Sequence, residues 1–278
     1  MATPDGVKAN AKHFAREAES SSVFETFARA GYVANGLIHA LIGVIVIVIA
    51  SGGDGEGDQA GAMKAVAGAP VGFVVLWLIA IGLWALALWH VSEGVLAHDL
   101  SGDAKGAARK WSRRAAEFGQ AAVFLALGAI SAAVAMGARP DGEKTAEGAS
   151  RNLLQVPGGP IVLGLLGVAI GIGGVAFVVM GVRRSFRARM RIPEGGLGWG
   201  LTALGVVGFV AKGVALLIVG VLLVVAAVRV DAKAAGGLDG AIDALLALPL
   251  GPALAWVVGL GFLAYGVFTI ARARFAWM

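Results

Sequence analysis

The same punctuation occurs three times along this chain. Pro70-Val71-Gly72, Pro157-Gly158-Gly159 and Pro249-Leu250-Gly251 each open a long apolar run. Gly61-Ala62, Gly148-Ala149 and Gly240-Ala241 begin nine residues before those prolines. Gly43, Gly128 and Gly220 lie 27, 29 and 29 residues before them. A register kept this closely marks an internal repeat, which restricts the fold to copies of one supersecondary unit.

The unit is a pair of membrane spans. Charge is almost absent from six stretches, roughly 30–50, 71–92, 115–137, 159–182, 201–228 and 251–271. Each is long enough, at about 1.5 Å per residue, to cross the ~30 Å of hydrocarbon in a bilayer. Backbone groups must be satisfied internally in lipid, so the runs are helices or barrel strands. They are too long for barrel strands and lack strict alternation. Only 15% of residues are charged, against about 25% in soluble domains. The first run is too long for the apolar region of a signal peptide and is expected to remain in the membrane. With no cysteine, thiolate metal sites, disulfides and cysteine catalysis are excluded.

The pI near 9.8 reflects topology rather than affinity for nucleic acid, because the basic residues border the apolar runs. Sixteen Lys and Arg fall on the side carrying the termini and the 98–114 and 183–199 connections, against six on the other. The richer side is expected to be cytoplasmic, with both termini inside. The opposite loops are short and mildly acidic, with Asp54, Glu56, Asp58, Asp141, Glu143, Asp239 and Asp243. Gly52–Asp58 lacks the ligand spacing of a calcium loop and reads as a linker.

The expected organisation is a polar tail over 1–26, then repeats over 27–98, 110–191 and 199–278. Ser22-Val23-Phe24-Glu25 fits a capping box at the start of the first helix. Each outer loop ends in a short apolar-periodic piece, predicted to be an interfacial helix stopped by the proline. Tandem two-helix units with the same orientation are related by an axis along the membrane normal. The fold class is therefore an all-α, six-span membrane protein, three hairpins in a pseudo-threefold bundle. Glycine is abundant, with 43 residues. Gly167, Gly171 and Gly174 share one face of the fourth span, and Gly213 and Gly220 one face of the fifth. Small residues at such spacing let helix backbones approach closely.

Three such repeats, with Pro-x-Gly before each second helix and Gly82-Leu83 or Gly261-Phe262-Leu263-Ala264-Tyr265-Gly266 within it, resemble the domain-of-unknown-function-1206 family over about residues 27–276. The second copy departs most, with Gly171-Ile172-Gly173-Gly174 where an aromatic is expected. The resemblance implies a bacterial, mainly actinobacterial, multi-pass protein of the inner membrane. It supplies a fold and no catalytic residue.

Alignment on Gly43, Gly128 and Gly220 brings Asn35, Gln120 and Lys212 to one position in the half nearer the basic side. A polar residue within the bilayer is costly, on the order of 2.5–3.5 kcal/mol for Lys at a helix centre. If the position faces the axis, the three form a polar ring, with Glu117 as the expected counter-charge of Lys212 and His39 one turn above Asn35. Against this, Lys212 can snorkel to headgroups, and Asn35 and Gln120 can simply bond neighbouring helices. His90 and Glu93 form a second polar pair, i and i+3 on one helix. Two histidines on adjacent helices suit a b-type haem. His39 lies deeper than His90 and neither recurs in the other repeats, so no cofactor is expected. Arg183, Arg184, Arg187, Arg189 and Arg191 follow the fourth span and suit contacts with anionic headgroups. No Walker A loop, nucleophile elbow, zinc-protease motif or other metal signature is present.

The leading functional expectation is a non-enzymatic module that binds a lipid, a hydrophobic small molecule or a membrane partner near Asn35, Gln120, Lys212, Glu117 and His39. A small ion, proton or solute transporter or channel is the alternative. A haem-binding redox protein is third. Transport requires a polar path, yet the outer halves, such as 44–49 and 221–225, are apolar.

Overall fold

The computed structural model describes residues 22–96 and 104–276. The polar tail falls mostly outside these residues, as do His98 and Asp99. Nine α-helices occur among the described residues: α1 (Ser22–Ala50), α2 (Gln59–Ala67), α3 (Gly72–Leu96), α4 (Ala104–Ala135), α5 (Gly142–Leu154), α6 (Gly159–Arg183), α7 (Gly196–Arg229), α8 (Gly237–Leu246) and α9 (Gly251–Phe275). Six of them, α1, α3, α4, α6, α7 and α9, are long and apolar enough to span a membrane. The short α2, α5 and α8 occupy the acidic face, as the periodicity predicts.

The Pro-x-Gly signature is the hinge between short helix and span. In each copy the glycine N–H donates to the carbonyl three residues back: Gly72 to Ala69 at 2.9 Å, Gly159 to Val156 at 2.9 Å and Gly251 to Leu248 at 2.8 Å. Gly158 and Leu250 take positive φ, 78° and 66°, as the third residue of a type II turn requires. The glycine is obligatory, because a Cβ there would lie 2.1, 1.8 and 2.2 Å from the carbonyl oxygens of Val66, Leu153 and Leu246.

The tightest packing lies between repeats. α3 packs on α4, α6 on α7, and α9 returns to α1, so each second helix meets the first helix of the next copy in cyclic order. Glycines set these distances. A Cβ at Gly36 would lie 2.7 Å from the Gly266 oxygen, and one at Gly43 2.6 Å from the Gly259 oxygen. Gly174 and Gly213 repeat the arrangement, as do Gly167 and Gly220, at 2.6–2.8 Å. The expected role of the span glycines is thus realised as reciprocal backbone contact. The third interface has Ala87 and Ala121 in the corresponding places, with Trp84 beside Gly128.

This pairing is threefold, but the ring is not closed. α1 packs on α3 and α7 on α9 within their repeats, whereas α4 and α6 do not pack along their lengths. In their apolar stretches 17% of α6 and 28% of α4 are buried, against 39% to 56% in the other four spans. The expected bundle is therefore an open ring, α4-α3-α1-α9-α7-α6, interrupted in the second repeat. Its apolar core, with Ile38, Ile42, Val46, Leu76, Leu83, Val258 and Phe262, fills the half nearer the acidic face and reaches Met63 of α2 and Ile242 of α8.

α4 also begins at Ala104, well before the charge-free run. About three basic turns of helix project on the basic face where a loop is expected. Arg114 explains part of this extension. Its guanidinium donates to the carbonyls of Gly94 at 3.1 Å and Val95 at 3.2 Å, capping the end of α3.

Candidate functional site

One layer of the repeat differs in polarity from copy to copy. It comprises the residue 20 after each proline and the residue 11 before each first-helix glycine. In α6 and α7 these are Phe177 and Phe209, with ring centroids 5.6 Å apart. In α9 and α1 they are Thr269 and Tyr32, both buried. In α3 and α4 they are His90 and Glu117, with Nδ1 2.7 Å from Oε2 and side chains only 8% and 6% exposed. A charge-capable pair thus replaces an apolar one at equivalent places in one fold.

Beside this pair is a cavity of about 390 Å³, open toward the basic face. Tyr32 of α1, Trp89, His90 and Glu93 of α3, Arg113 and Glu117 of α4, and Arg272 of α9 line it. Ala188, from the turn after α6, completes the lining. Glu93 is paired with Arg113 and Glu117 with His90. The Arg272 guanidinium lies 4.7 Å from the centre of the Tyr32 ring. Its Nε is buried and has no hydrogen-bond partner among the described residues.

A second polar cluster lies toward α7. Lys212 Nζ donates to His39 Nε2 at 3.0 Å and to the Tyr265 hydroxyl at 3.3 Å. It lies 4.3 Å from the Tyr265 ring centre and 5.3 Å from that of Phe177. His39 Nδ1 is 2.8 Å from the Asn35 carbonyl, so Nδ1 carries the proton and Nε2 is left to accept from Lys212. Cation–π contact with two rings offsets part of the cost of removing the ammonium from water.

The candidate residues therefore divide into two groups and an outlier. His39, Lys212 and the Asn35 backbone meet directly. Glu117 does not serve Lys212 as the expected counter-charge; it bonds His90, and among the described residues Lys212 forms no ion pair. His39 and His90 belong to these separate clusters. Gln120 is exposed on α4, facing the gap left by α6, so no complete ring forms. Glu93 joins Arg113 at the cavity rim. Arg183, Arg184, Arg187 and Arg191 are exposed at the basic face, and the side chain of Arg189 lies outside the described residues. The segment bearing them is anchored, not merely afloat on lipid. Phe186 stacks on Phe209 at 5.3 Å, and Arg191 N–H donates to the Phe275 carbonyl at 2.7 Å.

Three segments of the chain, 30–97, 117–191 and 207–276, match the family described as Domain of Unknown Function (DUF1206). The chain belongs to this family. It is 25% identical over 264 residues to the uncharacterized protein YxxB of Bacillus subtilis (strain 168), covering 94% of each chain. No solved structure matches it.

Sequence reasoning about this DUF1206 chain overlooked the cavity because its cations read as topology charges. Register offered a signal. Arg29 and Arg114 both stand 14 residues before the first-helix glycine, while Ala273 and Gly94 both stand 24 after the proline. Arg29 donates to the Ala273 carbonyl as Arg114 does to that of Gly94. Arg272 and Glu93 are likewise equivalent, 23 residues after their prolines. Residues at one repeat position with unlike charge are candidates for a site rather than for a fold.

The acidic face is also more ordered than a linker reading suggests. Asp58 is buried and caps α2 by accepting from Gly61 N–H at 2.8 Å. Gly57 N–H donates to Asp239 of α8 at 2.6 Å, tying the first repeat to the third. Burial first, with neighbouring carboxylates adding to it, raises Asp239 to about 6. Burial also raises Asp58 and Glu143.

Proposed function

We propose that this protein is a non-enzymatic membrane module whose polar cavity holds the head of a lipid or other hydrophobic small molecule, with the basic face on the cytoplasmic side of a bacterial inner membrane. The observation that carries this reading is the cavity of about 390 Å³, placed where three spans bring His90, Glu93, Arg113, Glu117 and Arg272 together. Intramembrane ionisable residues are costly, and the fold accepts Phe177 and Phe209 at the positions of His90 and Glu117. A ligand with a polar head and apolar body explains why charge is kept there. The exposed arginines after α6 would hold anionic headgroups around it.

Transport ranks below binding because the opposite half is a packed apolar layer in which Ile38, Ile42, Leu76 and Leu83 are fully buried. Native mass spectrometry of the protein released from mild detergent tests the binding reading. A retained small molecule is expected in wild type and is expected to disappear in the His90→Phe, Glu117→Phe double variant. Wild-type protein without adducts after extraction and lipid add-back would sink the reading, and ion or proton flux through proteoliposomes would favour the transporter.

A further inference from the structure

We infer that the occupant of the cavity is an amphiphile with an anionic head, and that it arrives sideways from the bilayer through the gap between α4 and α6. This rests on the cavity reading above and adds the ligand's charge and its route.

The gap follows from two methyl groups. Gly31 and Gly208 are equivalent positions twelve residues before the first-helix glycine, and the second repeat has Ala116 there. Gly82 and Gly261 are equivalent, twelve after the proline, and the second repeat has Ala169. A Cβ at Gly31 would lie 2.2 Å from the Gly82 oxygen, and one at Gly261 would lie 2.1 Å from the Ala211 Cβ. The closed wall of the first and third repeats therefore cannot form with alanine at both places. Gln120 is left exposed at the position where Asn35 is buried. The edges of the gap suit acyl chains. Val123 lies one turn from Gln120 on α4 and is 56% exposed; Leu166 of α6, on the helix face that also carries Phe177, is 48% exposed.

The charge of the head follows from Arg272. Glu93 and Glu117 already have cationic or histidine partners, whereas the buried Arg272 Nε has none among the described residues. A phosphate or carboxylate supplies the missing acceptor, and the planar guanidinium suits two-point contact with either.

Because the chain has no cysteine, the gap can be bridged at will. The experiment uses full-length protein in nanodiscs with phosphatidate fluorescent on one acyl chain, and phosphatidylcholine with the same chain as control. Saturable binding of phosphatidate in preference to phosphatidylcholine is expected. Arg272→Gln should weaken it about tenfold, the worth of one charge-assisted contact, with Arg272→Lys partly restoring it. Bridging Val123→Cys to Leu166→Cys with a bifunctional maleimide should slow association and release about tenfold at unchanged melting temperature, the rate change expected when a route rather than a contact is removed. Closing the gap with Ala116→Gly and Ala169→Gly should act in the same direction. Undiminished binding in folded Arg272→Gln protein, or displacement by inorganic phosphate, would overturn the anionic-lipid assignment. Unchanged rates in the bridged protein would overturn the lateral route. A different adduct retained in the native mass spectrum, with no phosphatidate binding, would refute this inference and leave the cavity reading standing.

Discussion

The interface of α6 with α7 and that of α3 with α4 occupy equivalent places in the ring, yet one is closed by Phe177 on Phe209 and the other by His90 on Glu117. Both pair a second helix with the first helix of the next repeat, and the α6–α7 pairing forms without a polar pair in this layer. Buried charge pairs often contribute no more stability than an apolar pair of similar volume, because desolvation offsets their attraction. The comparison separates two kinds of residue in one layer: those that hold the ring together and those that, in the function proposed above, line a binding site.

The largest expected effect comes from breaking the reciprocal glycine contact that the α6–α7 interface has and the α3–α4 interface, with Ala87 and Ala121 in its place, does not. A side chain on Gly174 would meet the Gly213 oxygen at 2.7 Å, and Gly174→Val should prevent recovery of monodisperse protein. Overpacking of this kind costs about 1–3 kcal/mol or more, and size-exclusion chromatography in detergent reads the result.

Converting one interface into the other comes next. His90→Phe alone strips Glu117 of its histidine and should cost about 3 kcal/mol. His90→Phe with Glu117→Phe should restore or exceed the wild-type melting temperature in detergent. A double variant less stable than either single one would show that the pair serves the fold after all.

The two polar clusters can then be tested for independence. Lys212 meets His39 and Tyr265, not Glu117. A double-mutant cycle of Lys212→Met with Glu117→Gln should therefore be additive within about 0.5 kcal/mol, while Lys212→Met with His39→Leu should show coupling.

The acidic face predicts a pH dependence. Asp239 titrates near 6 in the folded protein, above its unfolded value, so the folded state binds the extra proton between roughly pH 4 and 6. Stability is fully gained below the unfolded pKa and is lost as pH rises through about 6. Melting at pH 5 should exceed melting at pH 7, and Asp239→Asn should reduce the difference.

The smallest effect belongs to two glycines of α6 whose added side chain would meet nothing. Nothing lies within 4 Å of a Cβ built on Gly171 or Gly173. Gly171→Ala and Gly173→Ala should change stability by no more than about 0.5 kcal/mol, in contrast to Gly174.

Much of the fold was legible because the forces that make it are local or periodic. Lipid forces an uncharged run of twenty residues to be a helix, whatever its neighbours. Pro-x-Gly fixes a turn through the proline φ and the absence of a glycine Cβ. The three copies and the face of Gly213 and Gly220 followed from spacing alone. The functional candidates were read less well. Aligning Asn35, Gln120 and Lys212 put the three at one repeat position, but it did not foresee that Lys212 meets His39. The pairing of Glu117 was misjudged because helices that are apolar all round leave their rotation undetermined, so depth gives no partner.

By itself, then, the sequence of this DUF1206 member determined six spans, three repeats, the short outer helices and the use of glycine for close packing. Only the tertiary structure decided that the tight pairs lie between repeats, that Glu117 serves His90, that Arg272 lines a cavity, and that the ring opens between α4 and α6. The reason is one of range. Hydrophobic length and turn chemistry act within a segment and are written in it, whereas the approach of two helices depends on whether both carry hydrogen or methyl at the same point of contact.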